Sequence, residues 1–439
     1  MNMNLYGHDE QWLMVDCGAS FKEPLTAVSN NYKQRNAEQN SDTLFDIVSA
    51  DPGFIADQKE RLVGLIITHA HEDHIGAVAH LWPRLKCPVY TTPFTAICLR
   101  RKLNEKGIAD QVKIIEVASG DFVDIGVFNV QWLALTHSLP EPHAIVIRTR
   151  VAKVFHTGDW KIDNTPVIGE PFSESPFKQL ARESIDAMVC DSTNANRPGK
   201  TVSEGSCYKG LKHVIDQCSG KVVVCCFGSN IARLITLIKI AKQCRRYAGL
   251  IGRSLMNMVA NARLAGFWPS DFELITPYDL AYLPDKEVLL IATGSQGEPK
   301  AALSRLSDDK NKDIALNAGD TVIFSSIIIP GNEEAVETLV TKLKAKNINV
   351  IMQKDVDAPI HASGHPSQED LEELYSWVKP RLVIPTHGEA EHLIANADIA
   401  KTVGISRQLT GFNGDLFEIK PVAKVRKNFT TVARLPLER

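Results

Sequence analysis

The feature that most constrains this chain is the heptapeptide Thr68-His69-Ala70-His71-Glu72-Asp73-His74, set directly after the apolar run Leu62–Ile67. Three imidazoles and two carboxylates fall within six residues. Alternate residues of an extended chain point the same way, so His69 and His71 can grip one cation together. As the chain turns into a helix, Asp73 and His74 can face a second. Imidazole with carboxylate suits Zn²⁺, with Mn²⁺ or Fe²⁺ as alternatives. A surface histidine cluster is the competing reading, and the HxHxDH spacing behind a strand argues against it.

Further candidate donors follow strand-like runs. His137 comes after Val130–Leu135, Asp159 after Val151–Phe155, and His387 after Leu382–Pro385. Taken singly, each reads as an ordinary satisfied polar residue. With the heptapeptide they complete two sites: His69, His71 and His137 for one cation, Asp73, His74 and His387 for the other, and Asp159 bridging. Two cations a few ångströms apart stabilise both the attacking and the leaving oxygen of a displacement.

Composition bounds what can surround such a centre. At about 150 residues per domain the 439-residue length gives two or three domains. With 44% hydrophobic and 23% charged residues, large cores are within reach and wholesale disorder is excluded. Net charge is −3, from 49 Lys+Arg against 52 Asp+Glu, which does not mark a generic polyanion binder. Lys420–Arg439 is a local exception, six basic residues against one acidic, read as a solvated surface strand within reach of phosphate. No apolar run approaches the ~18 residues of a transmembrane helix, and Met1–Asp9 has neither a basic nor an apolar leader segment. The nine cysteines form no CxxC pair and read as reduced, buried thiols of a cytoplasmic protein.

Short β-branched runs (Leu13–Val15, Leu62–Ile67, Val89–Thr91, Val112–Val117, Phe128–Ala134, Ala144–Arg148) predict a β-rich first part with few helices. From about Ser203, strands Val222–Cys226, Gly249–Ile251, Val288–Ala292, Thr321–Ser325 and Asn349–Met352 alternate with helices such as Ile231–Cys244 and Glu334–Ala345. That alternation predicts a βαβ-type module of roughly 150 residues. A helix over Gln368–Val378 and the strand Leu382–Pro385 follow it.

Here the chain resembles the metallo-β-lactamase superfamily. Asp16 in Val15-Asp16-Cys17-Gly18, the HxHxDH motif, His137 and Asp159 match its first four motifs in order. The module, followed by His361-Ala362-Ser363-Gly364-His365 and His387, is similar to the β-CASP branch of nucleases, and within it to the ribonuclease J family. Consecutive matches run through almost the whole chain: Thr157-Gly158-Asp159-Trp160-Lys161, Asp191-Ser192-Thr193-Asn194-Ala195, Gly294-Ser295-Gln296-Gly297-Glu298-Pro299, Ile329-Pro330-Gly331-Asn332-Glu333 and Pro385-Thr386-His387-Gly388-Glu389. The resemblance implies an α/β architecture, a metallo-β-lactamase αββα sandwich with an inserted β-CASP α/β domain. Residues 1–200 and 358–439 would be the two parts of the sandwich, the second carrying the basic tail, and 201–357 the insert.

The resemblance also implies roles. Asp16 and Asp191 would orient metal-bound imidazoles. Asp73 and His365 would act in catalysis, His365 as a non-ligand acid for the leaving 3′-oxygen. His361, Ser363 and His365 would touch the scissile phosphate. The loop Phe227-Gly228-Ser229-Asn230-Ile231-Ala232-Arg233 would hold a 5′-phosphate through Ser229, Asn230 and helix N-terminal N–H groups, with Ser325 and Ser326 as further contacts. Gly228 and Ala232 depart from the family's commoner form, FASN followed by His. His387 at the third β-CASP motif associates the chain with RNA rather than DNA.

The implied function is a zinc-dependent ribonuclease with two Zn²⁺ per chain and Mn²⁺ as alternative. It would act 5′-to-3′ and internally on single-stranded, 5′-monophosphorylated RNA, in the cytoplasm, without a membrane, as a dimer or tetramer. The chain is expected to lack the family's glycine-rich opening and its small C-terminal domain, which weakens the oligomer expectation. Two other readings compete. Hydrolysis of a small ester, thioester or lactam needs no such inserted lid, and a silent RNA-binding subunit would have lost ligands that are all present here.

Overall fold

Alternation of side chains explains the layering. In the strand Gln11–Val15, Leu13 and Val15 point to one side and Met14 to the other; Ile66 and Leu65 divide the same way in Leu62–Ile66. In the computed structural model, which describes residues 1–24 and 44–437, these strands join a five-stranded sheet. Its order is Asn4–His8, Gln11–Val15, Leu62–Ile66, Val89–Thr91, Ile114–Glu116. A six-stranded sheet runs Val383–Thr386, Ala187–Asp191, Lys153–His156, His143–Arg148, Phe128–Ala134, Phe122–Ile125. Val130, Trp132, Ile145 and Ile147 of the second meet Leu13, Val15, Ile66 and Tyr90 of the first in one buried cluster. Helices cover the outer faces. Met14, Leu65 and Val89 lie under Val78–Leu85 and Pro93–Glu105, and Ala144, Val146 and Met188 lie under Ser175–Glu183 and Gln368–Val378. This is the expected αββα sandwich.

A second unit follows from near-continuous apolar runs, the signature of strands buried on both faces. Tyr247–Ile251, Val288–Ala292, Val222–Cys225, Thr321–Phe324 and Asn349–Ile351 form an all-parallel sheet in that order. Val222 and Val224 face Ile231–Gln243, whereas Val223 and Cys225 face Ala302–Ser307 and Glu333–Ala345. Most expected element ends move by one or two residues. The run Val151–Phe155 pairs only as Lys153–His156, because Thr149 N–H closes a turn onto Ala152 O at 2.9 Å. The helices Ser175–Glu183, Arg253–Leu264 and Ala390–Thr402 are additions to the expected pattern.

Strand direction positions the site. Leu62–Ile66 runs parallel to Gln11–Val15, and Lys153–His156, Ala187–Asp191 and Val383–Thr386 run parallel to one another. Their carboxyl ends deliver Asp16, His69, Asp159, Asp191 and His387 to one edge of the sandwich. The described part of the basic tail, residues 420–437, is folded against its neighbours. Arg434–Pro436 pairs with Leu44–Ala50, Lys420 bonds Asp186 at 2.7 Å, and Lys424 and Arg426 both bond Glu418. The nine cysteines are free, seven of them buried. No described helix is long and apolar enough to cross a membrane.

Ile145 is fully buried between the two sheets. Ile145→Ala should cost about 2–5 kcal/mol through lost burial and the cavity left behind. Urea unfolding followed by tryptophan fluorescence should show a lower midpoint at an unchanged slope.

Candidate metal centre

The local fold of the heptapeptide follows its sequence. His71 is still extended (φ −71°, ψ 148°) and Glu72–Ile75 makes a single helical turn, which sends His69 and His71 to one side and Asp73 and His74 to another. The loop opposite comes very close: a Cβ at Gly18 would stand 1.7 Å from Asp73 O, so only glycine fits there. Asp16 (φ 63°) and His387 (φ 56°) both take left-handed backbone, a strain of about 1–3 kcal/mol each for non-glycine residues.

Outer hydrogen bonds fix which ring nitrogens face inward. His74 Nδ1 donates to Asp16 Oδ2 at 2.8 Å and His137 Nδ1 to Gly364 O at 2.5 Å. His69 Nδ1 donates to Thr68 Oγ1 at 3.0 Å, whose own hydroxyl donates to Asp16. Each such bond turns the opposite nitrogen inward, where it is bare whenever the ring is neutral. His71 is turned over, with Nε2 3.4 Å from Ser138 Oγ and Nδ1 inward. The inward nitrogens then crowd together: His69 Nε2 to His71 Nδ1 is 3.1 Å, and His71 Nδ1 to His137 Nε2 is 3.0 Å. Burial keeps these rings neutral, His69 and His137 well below the ordinary imidazole range and His71 lowered to about 4. Lone pairs so placed repel unless a cation sits among them. Ligands of a tetrahedral Zn²⁺ at about 2.1 Å stand about 3.4 Å apart, so donor type and spacing both fit a divalent ion.

A second group adjoins the first. His74 Nε2 lies 3.4 Å from Asp73 Oδ2 and 3.2 Å from Asp159 Oδ2. His387 places Nε2 3.1 Å from Asp73 Oδ2 and Nδ1 3.1 Å from Asp159 Oδ1. Asp159 also stands 3.6 Å from His69 and 3.9 Å from His137, between both groups. Burial opposes its ionisation, yet the rings of His387, His74 and His365 hold it well below the usual carboxylate range. Burial likewise pulls His74 down, but Asp159, Asp73 and Asp16 together hold it well above its ordinary value.

His365 joins Asp159, Asp191 and His387 in a third cluster of potential donors. Its Nδ1 is held by Asp191 Oδ2 at 2.8 Å, as His74 Nδ1 is by Asp16, and its side chain is 21% exposed, close to the 19% of His387. Asp191 is anchored in turn by Thr193 N and Oγ1 at 2.9 and 2.7 Å. The 361–365 loop is pinned from below, with Asn194 Nδ2 on Ser363 Oγ at 2.8 Å and Thr201 Oγ1 on His365 O at 2.7 Å.

The expected phosphate loop is placed differently from residue to residue. Asn230 caps the helix Ile231–Gln243, its side chain accepting Arg233 N–H at 2.9 Å, so its oxygen is occupied; Ser229 precedes it. Ser325 is a correction: it donates to Ile360 O at 2.6 Å and accepts from the buried Arg233 guanidinium, which makes it a support for the loops. Ser326 Oγ and both ring nitrogens of His361 are buried without a hydrogen-bond partner. Arg233, Glu204, Thr68 and Gly364 were not among the expected site residues. Thr68, Arg233 and Gly364 lie inside the motifs that carried the sequence reading, and at Gly364, between Ser363 and His365, a Cβ would meet His137 Cε1 at 2.4 Å. Gly364→Ala should therefore push the His137 ring and weaken metal binding about 10–100-fold, read by competition with a coloured chelator.

Three family models match in chain order: "Metallo-beta-lactamase superfamily" over residues 2–172, "Ribonuclease J, beta-CASP domain" over 219–343, and "Zn-dependent metallo-hydrolase RNA specificity domain" over 355–406. A crystal structure of an Enterococcus faecalis V583 protein of unknown function shares the fold, with TM-score 0.61 and 15% identity over 93% of this chain and 94% of that one. Among curated proteins, ribonuclease J of Synechocystis is 32% identical over 95% of this chain and 63% of its own length. Ribonuclease J of Sinorhizobium meliloti is 39% identical over 96% of this chain and 72% of its own length. Identity of that extent, carried through sandwich, insert and second part of the sandwich alike, makes the chain a member of the ribonuclease J family.

Proposed function

We propose that this chain is a metal-dependent ribonuclease that hydrolyses phosphodiester bonds of single-stranded RNA, from a 5′-monophosphate end and internally. The observation that carries the reading is the crowding of three buried, neutral imidazoles, His69, His71 and His137, whose inward nitrogens stand 3.0–3.1 Å apart beside Asp159, with the second donor group of Asp73, His74 and His387 adjoining. His69, His71, His137 and Asp159 would hold one ion and Asp73, His74, Asp159 and His387 a second, as Zn²⁺ or Mn²⁺. Bound there, the ions supply the charge that activates water and steadies the departing oxygen.

The other residues act on RNA directly. With Nδ1 held by Asp191, His365 keeps Nε2 for substrate and delivers a proton to the leaving 3′-oxygen. Ser363 accepts from Asn194 and from His365 N–H, so its own hydroxyl proton remains for a phosphate oxygen. His361, with both ring nitrogens buried and unpartnered, is a further candidate for the scissile phosphate, while Ser229, the N-terminus of Ile231–Gln243 and the orphaned hydroxyl of Ser326 support a terminal-phosphate pocket, since buried polar groups need a partner. In this reading the protein works in the cytoplasm as a dimer or tetramer, residues 1–200 and 358–439 form the catalytic sandwich, and 201–357 cover it.

Asp73→Ala should abolish hydrolysis while the fold persists, as should metal removal; full activity after either would overturn the mechanism. His365→Ala should lower turnover about 10²–10⁴-fold at unchanged metal content. If metal is lost with it, His365 is a ligand. Replacing a 5′-monophosphate by a hydroxyl should weaken binding about 10–100-fold through one lost charge-assisted contact. Ser229→Ala should narrow that difference without affecting internal cleavage.

A further inference from the structure

Asn2 has no role in the reading above, yet its side chain reaches the second donor group. Its Nδ2 stands 3.0 Å from His74 Nε2 and 3.3 Å from Asp73 Oδ2. The backbone holds it there from two sides: Asn2 N–H donates to Asp73 O at 2.7 Å, and Asn2 O accepts the Gly18 N–H at 2.9 Å. The amide is therefore stitched to the same loop that carries the ligands.

Its position has the spacing of a ligand. Donors at about 2.1 Å from one cation stand about 3.0 Å apart in an octahedron and about 3.4 Å in a tetrahedron. Within this pocket the observed separations are 3.1 Å for His387 to Asp73, 3.2 Å for His74 to Asp159, and 3.4 Å for His74 to Asp73. The amide end falls in the same range from two of these donors. A half-turn about χ2 exchanges the two ends of a carboxamide, so a point reached by Nδ2 is equally reached by Oδ1. Against the His74 ring nitrogen, the Asp73 carboxylate and the Asp73 carbonyl, which Nδ2 reaches at 3.2 Å, the NH₂ end turns inward. A cation among them reverses that preference, because it attracts a carbonyl oxygen and repels N–H dipoles.

We propose that Asn2 Oδ1 is a fifth protein donor of the second cation site, an inference that rests on the two-cation reading. An added neutral oxygen raises that site above four-coordination and biases it toward a harder, higher-coordinate ion such as Mn²⁺. Among the described residues the His69–His71–His137 pocket receives no such amide and, with Asp159, keeps the nitrogen-rich, four-donor set that suits Zn²⁺. The two pockets thus differ in metal preference, and Asn2 makes part of the difference.

The test titrates the metal-stripped full chain with Mn²⁺ and, separately, Zn²⁺ by calorimetry, with bound Mn²⁺ counted by electron paramagnetic resonance. His387→Ala identifies the phase that belongs to the second pocket, and thermal unfolding of the stripped proteins shows that each variant folds. Asn2→Ala should weaken Mn²⁺ in that phase about 10–100-fold, affect Zn²⁺ less, and leave the other phase unchanged. Asn2→Asp, which keeps an oxygen donor, should restore Mn²⁺ binding or tighten it. Unchanged Mn²⁺ affinity in Asn2→Ala overturns the proposal. So does an Asn2→Asp variant as weak as Asn2→Ala, which would make the N–H, and not the oxygen, the working group. A wild-type chain that binds a single ion would instead overturn the two-cation reading beneath it.

Discussion

One buried carboxylate organises the catalytic edge of this protein. Asp159 is 3% exposed and touches five imidazoles, His69 at 3.6 Å, His74 at 3.2 Å, His137 at 3.9 Å, His365 at 3.9 Å and His387 at 3.1 Å. An isolated charge in that position would cost several kcal/mol, so the surrounding chain is arranged to bring positive charge or its donors to it. The five rings come from four separate stretches of sequence. They meet because parallel strands end at the same edge, with Asp191 in register with Thr386. A slip of one residue in that pairing would turn alternate side chains to the opposite face and carry His387 out of the centre.

Much of this arrangement was legible in the sequence, and the reason is local. The heptapeptide and the runs before His137, Asp159 and His387 each pair a strand signal with a polar residue at its end. Period-2 alternation separates Leu13 and Val15 from Met14, and thus gives the two faces of a sheet. Supports that depend on distant partners left no comparable trace. Thr68 acts by bonding Asp16, and Gly364 by offering its carbonyl to His137, over sequence separations of 52 and 227 residues. Ser325 read as a phosphate contact because it ends a strand in the module; its partner Arg233, 92 residues away, is visible only in three dimensions. Helices such as Ala390–Thr402 escaped because their apolar face is broken by polar residues such as Asn396, which is buried and bonds Asp191 O at 3.0 Å.

The insert and the sandwich are joined by a chain of buried charges. Lys161, two residues beyond Asp159, pairs with Asp163 at 2.8 Å. Asp163 accepts the Glu204 N–H at 2.9 Å and the Ser203 hydroxyl at 2.5 Å. Glu204 takes Arg233 Nε at 2.7 Å, and Arg233 reaches Ser325 O and Ile360 O, each at 3.1 Å. Such pairs add little net stability, because desolvation offsets attraction. Their value is directional: the same atoms that align the 360–365 loop also fix the segment leading into the helix Cys207–Asp216.

That guanidinium has an architectural consequence. It holds Glu204, where the chain passes into the insert, and Ile360, where it returns, so both crossings lie within the reach of one side chain. A Cβ at Gly210 would come within 2.2 Å of Pro359 O, which shows how tightly the two crossings are packed. The insert is thus tied to the sandwich through two neighbouring junctions braced by one side chain. A chimera that carries Glu204, Arg233 and the 360–365 loop as a matched set inherits the docking geometry. One that divides them leaves a charge buried without its partner, at a cost of about 3–5 kcal/mol.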